Sequence, residues 1–284
     1  FTANDEETVT YSSATAAADV TITTLNASDL TSLTISGAGD LIVTNALSST
    51  LVATVNASAA TGAVTVSAAN AVVGVTMTGG SAVNTFTGGV LADNITGGAD
   101  ADAIVGGAGD DSITAAATSA STGAANTTVN SGDSVDGGAG TDDKLILAAT
   151  NDVSTAAKGA QYVGFETLGV NNDQDVSLIA GITAIELGAM TSKTVSKISA
   201  AQAGAITVAG TQTTAVTLTL ADATGSSDVV SLALKNATAT TNVNVDGLSV
   251  AGVETLNIAA TTGTAGTNDT VDFAAGGADK LTSI

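Results

Sequence analysis

Four nine-residue units stand in unbroken register in the middle of this chain: GGSAVNTFT (79–87), GGVLADNIT (88–96), GGADADAIV (97–105) and GGAGDDSIT (106–114). Each unit divides into a turn, opened by a glycine pair that permits positive φ and close backbone approach, and a short strand. The eighth positions, Phe86, Ile95, Ile104 and Ile113, are apolar and point inward, with Met77 one period earlier. Two units close one coil, so coils stack as parallel strands with their turns on opposite edges. The sixth positions are Asn84, Asp93, Asp102 and Asp111. Same-edge turns lie two units apart, which places Asn84 above Asp102 and Asp93 above Asp111. A less regular stretch, 115–127, interrupts the array. The pattern resumes as NSGDSVDGGAGTDDKLIL (130–147), giving Asp133, Val135, Gly137, Gly138, Gly140 and Asp142. Asp133 and Asp142 are expected on opposite edges. The last unit is imperfect, because Asp143-Lys144 pushes the apolar residue one place late, to Leu145.

The flanks read as strands too. Residues 1–78 alternate apolar and Thr/Ser positions, as at Leu33/Ile35, Leu41/Val43 and Val73/Val75/Met77, which is the half-buried strand pattern. From 148 to 284 the candidates are Val216–Leu220, Val229–Leu234, Val243–Val245, Leu256–Ile258 and Val271–Phe273. GFETLGV (164–170) and GVETLNI (252–258) read as repeats of one supersecondary unit. Only short alanine stretches, Ala115–Ala117 and Ala200–Ala203, suggest helix. The expected fold is all-β: a parallel β-helix or β-solenoid with a central β-roll and little helix. Its segments are strands over 1–78, the repeat block over 79–147 and a second β-rich domain over 148–284.

Charge and missing residue types narrow the chemistry. Six Lys, no Arg and a net charge of −21 exclude a nucleic-acid surface. No apolar run approaches a membrane span. Without His or Cys, zinc, copper and haem lose their usual ligands, and Ser-His-Asp and Cys-His catalysis are gone. Hard-oxygen chemistry remains, Ca²⁺ or Mg²⁺; the stacked nonapeptide turns, which offer an Asp and several main-chain carbonyls at each gap, make the expected cofactor Ca²⁺, several ions of it. Nine of the 22 Asp fall within 93–143, and the only cation nearby is Lys144. Carboxylates packed so closely repel, so this block is expected to be disordered without Ca²⁺ and folded with it. The candidate ligands are Asn84, Asp93, Asp100, Asp102, Asp110, Asp111, Asp133 and Asp142. Gly97, Gly98, Gly106, Gly107, Gly109, Gly137, Gly138 and Gly140 shape the turns that hold them.

The nonapeptide G-G-x-G-x-D-x-U-x resembles that of the RTX (repeats-in-toxin) proteins. Together with DGGAGTDDKLIL (136–147), GFETLGV, LADATGSSDVVSLAL (220–234) and AGVETLNIAATT (251–262), the chain resembles crystalline S-layer proteins of the Caulobacter type. That resemblance implies a type I-secreted, Ca²⁺-dependent structural protein, extracellular at the cell surface. It implies partners in the form of further copies in a two-dimensional lattice. It also implies attachment to cell-surface lipopolysaccharide through a region outside this chain, and Phe1 in place of Met reads as an interior piece. Two rival readings are open. A β-helical polysaccharide-active enzyme would have to rely on Tyr11, Tyr162 and scattered lysines. A secreted adhesin, filament or ice-binding solenoid would use outward Thr-x-Thr pairs such as Thr76/Thr78 and Thr85/Thr87. One coil on, Asn94/Thr96 and Ala103/Val105 are expected to break that array. Asn171–Asp175 reads either as an isolated Ca²⁺ loop or as a solvated turn.

Overall fold

The structure, a computed structural model, describes residues 1–284 apart from 4, 17, 101, 116–133, 148–152, 190–191, 213–214, 236–242 and 262–268. Asp133 and most of the interruption therefore lie outside the described residues. The chain forms two compact units, Phe1–Ala148 with Ala160–Phe165, and Ala149–Gly159 with Glu166–Ile284.

Each unit is a parallel β-solenoid. In the first, successive strands alternate between two sheets, seven strands in each among the described residues. One sheet is ordered Thr8–Ser13, Ser32–Gly37, Thr54–Ala60, Thr76–Thr78, Asn94–Thr96, Ser112–Ala115, Lys144–Leu147. The other is ordered Val20–Ile22, Leu41–Val43, Val64–Ser67, Asn84–Thr87, Ala103–Val105, Ser134–Asp136, Tyr162–Val163. Pairing runs straight through the expected boundary at 78, since Thr78 pairs with both Asn56 and Thr96.

Period-2 alternation sends every second side chain inward, and parallel register stacks them. Leu33, Val55, Met77, Ile95, Ile113 and Leu145 form one buried column. Val66, Phe86, Ile104, Val135 and Tyr162 form the facing one. Each fully buried side chain of this kind contributes about 1.5–3 kcal/mol. With aromatics at only 2% of the sequence, the core rests on these aliphatic columns.

The outward positions differ between the two sheets. On the first, Thr54, Thr76, Asn94 and Ser112 align beside Asn56, Thr78, Thr96 and Thr114, an uninterrupted double column of hydroxyls and amides. On the second, Ala103 and Val105 interrupt the threonines, as the spacing predicts, and Ile42 does so as well.

The second unit again has two sheets, five strands in each among the described residues. One runs from Thr167–Val170 through Ala184–Leu187, Ile206–Val208 and Val229–Lys235 to Thr255–Thr261; the other runs from Gln174–Asp175 through Lys193–Ile198, Val216–Leu220 and Asn244–Ser249 to Thr270–Phe273. The two Glu-Thr-Leu motifs are equivalent. The Glu166 carbonyl accepts from the amides of Thr183 and Ala184, the Glu254 carbonyl from those of Thr282 and Ser283, and Leu168 and Leu256 are buried. Asn171–Asp175 serves stacking: Asp173 Oδ1 accepts from the Thr194 amide at 2.7 Å, and Asp175 caps a short 3₁₀ turn, Val176–Leu178.

Among the described residues the α-helices are two single turns, Ala156–Gly159 and Ala200–Ala203. The second carries a capping box: the Ser199 amide donates to Gln202 Oε1 at 2.9 Å and the Gln202 amide to Ser199 Oγ at 3.3 Å. Ala115 ends a strand, and the rest of the other alanine stretch lies outside the described residues. No helix among the described residues is long and apolar enough to cross a membrane.

Candidate metal centre

Each sixth-position residue stands two places before an inward apolar residue, where a turn becomes a strand. Its backbone is clamped by the next coil at two points. The Val75 amide donates to Asp93 Oδ1 at 2.7 Å, while its carbonyl accepts from the Asn94 amide at 2.9 Å. One coil on, the Asp93 amide donates to Asp111 Oδ1 and its carbonyl accepts from Ser112, both at 2.8 Å. The Asp111 amide donates to Asp143 Oδ1 and its carbonyl accepts from Lys144, both at 2.6 Å. On the opposite edge the Asn84 amide donates to Asp102 Oδ1 at 2.8 Å. The expected stacking of Asn84 on Asp102 and of Asp93 on Asp111, each pair eighteen residues apart, is what the structure contains.

These carboxylates point into the protein. Asp93, Asp102, Asp111 and Asp143 are 3%, 3%, 1% and 0% exposed. The second oxygens of Asp93, Asp102 and Asp111 lie over the first glycine of the same unit. A Cβ on Gly88, Gly97 or Gly106 would collide with Asp93 Oδ2, Asp102 Oδ2 or Asp111 Oδ2 respectively. The same Cβ would also strike a main-chain carbonyl of the neighbouring coil: Gly106 O at Gly88, and Gly137 O at Gly106. A carboxylate oxygen and a carbonyl oxygen thus converge on one spot between coils. The Gly89 amide donates to Asp93 Oδ2 at 2.5 Å, whereas Asp111 Oδ2 is buried with no hydrogen-bond partner.

Burial is the main influence on Asp111 and Asp93. It pushes the Asp111 carboxyl up to about 7; the hydrogen bond from the Asp93 amide opposes the rise, and the charges of Asp93, Asp143 and Asp110 add to it. Asp93 is also raised by burial, offset in part by the amides of Val75 and Gly89.

The other acids named from the sequence sit elsewhere. Asp100, Asp110 and Asp142 are exposed in the turns. Asp110 Oδ1 accepts from the amides of Thr141 and Asp142 at 2.9 and 3.3 Å, tying its turn to the next coil. The buried place beneath Asp111 belongs to Asp143, which the reading by nines passes over in favour of Asp142. The late Leu145 is the signal: it pairs with Ile113, and counting back two residues gives Asp143. Of the turn glycines, Gly98, Gly107, Gly109 and Gly138 adopt positive φ (132°, 117°, 106° and 105°), and the Cβ-free contacts at Gly97, Gly106, Gly137 and Gly140 lie against the acids or the adjacent coil.

No protein-family model matches this chain, and no curated protein matches it significantly. The chemistry of the site therefore rests on its own donors. Among the described residues no three carboxylates converge on one point. An ion at a coil junction would take one side chain there and draw its other oxygens from the main chain. Oxygens alone, an acid with one unsatisfied buried oxygen and a carbonyl beside it fit a hard divalent cation.

Proposed function

We propose that this chain is a structural β-solenoid of an extracellular surface layer, whose repeat block binds Ca²⁺ between coils and whose copies assemble into a two-dimensional lattice. The observation that carries the metal half of this reading is the meeting of like charges in the interior. Asp111 Oδ2 and Gly137 O face the same spot, as do Asp93 Oδ2 and Gly106 O. Two partially or fully negative oxygens in a low-dielectric setting repel unless a positive group lies between them. A bound Ca²⁺ supplies that charge and takes six to eight oxygens at roughly 2.3–2.6 Å. Each ion would sit at its own junction, held by Asp93 with the carbonyl of Gly106 or by Asp111 with that of Gly137, and Asp102 and Asp143 would each serve a junction of their own. The chain's own part is to bury these acids against amides of the adjacent coil and keep the turn glycines free of side chains.

The lattice half rests on the resemblance of the flanking segments and on charge. A chain of net charge −21 opposes contact between copies until counterions bind. Electron microscopy of the purified chain with Ca²⁺ and in excess chelator is the test. Ordered sheets in Ca²⁺ alone support the proposal; the same sheets in chelator sink it.

A second reading, a secreted adhesin, is favoured by the uninterrupted hydroxyl and amide columns through Thr76/Thr78 and Asn94/Thr96. It requires a soluble, Ca²⁺-loaded monomer that binds a surface and forms no sheets under the same microscopy.

A further inference from the structure

One coil junction differs from its neighbours by a single atom. Asn84 is 0% exposed, and the two hydrogens of its Nδ2 are shared among three oxygens: Ala82 O at 2.7 Å, Gly97 O at 3.0 Å and Asp102 Oδ1 at 3.0 Å. The reverse orientation would turn Oδ1 toward all three, so these surroundings select the one with nitrogen inward. Oδ1 is left buried without a hydrogen-bond partner. The space above Gly79 is shared by Gly97 O and Asn84 Nδ2. At the corresponding places above Gly88 and Gly106 the pairs are Gly106 O with Asp93 Oδ2, and Gly137 O with Asp111 Oδ2. A donor therefore meets a carbonyl at Asn84, whereas an acceptor meets one at Asp93 and Asp111.

We propose that Asn84 is a built-in substitute for a metal ion: its side-chain amide bridges the oxygens that a cation bridges at the following junctions. The inference rests on the Ca²⁺ reading above and adds where metal dependence begins. The strand Asn84–Thr87 pairs with Val64–Ser67 on one side and Ala103–Val105 on the other, so it joins the N-terminal coils to the acidic ones. Closed by an amide, this junction holds without metal. The N-terminal coils then form a folded template from which the acidic coils grow as Ca²⁺ arrives. In a solenoid each coil contacts only its neighbours, which allows such stepwise growth.

The experiment uses the whole chain. Ca²⁺ bound per chain is measured by equilibrium dialysis for the native protein, Asn84→Asp and Asn84→Ala. Hydrogen exchange is followed with Ca²⁺ and in Ca²⁺-depleted buffer. Asn84→Asp is expected to bind one more Ca²⁺ per chain, and Asn84→Ala to bind no more than the native chain. In depleted buffer the native amides of Val64–Ser67 and Asn84–Thr87 are expected to stay protected while those of Asn94–Thr96 and Ser112–Ala115 exchange. In Asn84→Asp all four segments exchange until Ca²⁺ is restored. Unchanged stoichiometry in a folded Asn84→Asp overturns the inference. So does loss of protection at Asn84–Thr87 together with the acidic coils in the native chain, a readout that stands even if the variants fail to fold. A native chain that binds no Ca²⁺ overturns the parent reading instead, and is recognised as such before the variants are compared.

Discussion

The amide of Asp111 donates to Asp143 Oδ1 across 32 residues of sequence, at 2.6 Å. That bond carries the carboxylate ladder past the interruption and selects Asp143 over its exposed neighbour Asp142. Asp143→Ala leaves the buried Asp111 amide unsatisfied and is expected to lower stability in saturating Ca²⁺ by about 1–3 kcal/mol. Asp142→Ala is expected to stay within about 0.5 kcal/mol of native, as exposed positions do. Denaturant melts of the two variants decide it, and a larger loss for Asp142→Ala refutes the register.

Gly88 and Gly106, each the first glycine of a unit, are held free of a side chain by two oxygens. Gly106→Ala drives a methyl group into Gly137 O and Asp111 Oδ2. Overpacking of this kind costs about 1–3 kcal/mol, and here it also displaces oxygens of the proposed metal junction. Weaker Ca²⁺ binding and a lower melting temperature are expected together. Gly204→Ala is the control: its nearest neighbour would be Ala201 O at 3.4 Å, an ordinary contact, and no change in Ca²⁺ affinity is expected.

Without metal, pH should act through Asp111. Its carboxyl is raised from 3.8 to about 7 in the folded chain, so between those values the folded state holds a proton that the unfolded state has lost. In Ca²⁺-depleted buffer the acidic coils should therefore lose stability as pH rises from about 4 to about 7 and be open above it, in keeping with the exchange expected of Ser112–Ala115 there. Below the lower value both states are protonated and the penalty vanishes. Thermal melts at several pH values check the sign, and Asp111→Asn should flatten the dependence. A native chain that gains stability over that rise contradicts the burial of this acid.

The capping box of Ala200–Ala203 lies in the second unit. Ser199→Ala removes the oxygen that accepts from the Gln202 amide and should cost about 0.5–2 kcal/mol. That loss is expected to be equal with and without Ca²⁺, since neither Ser199 nor Gln202 contacts the acidic ladder. A Ca²⁺-dependent difference in the melts counts against this.

Much of this molecule can be read locally. Inward Met77, Ile95 and Ile113 recur at a fixed interval, and β-branched residues alternating with Thr leave few choices besides stacked parallel strands. The pairs Asn84–Asp102 and Asp93–Asp111 follow from counting alone, because coils of equal length bring equal positions together. Counting stops working where coil length changes. Asp142 and Asp143 are adjacent and chemically identical, and the late Leu145 is the one local sign of which is buried. The choice is made by Leu145 packing beneath Ile113, a contact that exists only once the coils have stacked. Orientation is likewise a tertiary matter. A carboxylate in a turn reads as a group facing water, yet Asp93, Asp102, Asp111 and Asp143 turn inward because the neighbouring coil offers each an amide that no strand partner satisfies. Asn84 differs from those acids by one group in the sequence. Only the three oxygens around it turn that difference into a donor where its neighbours present an acceptor.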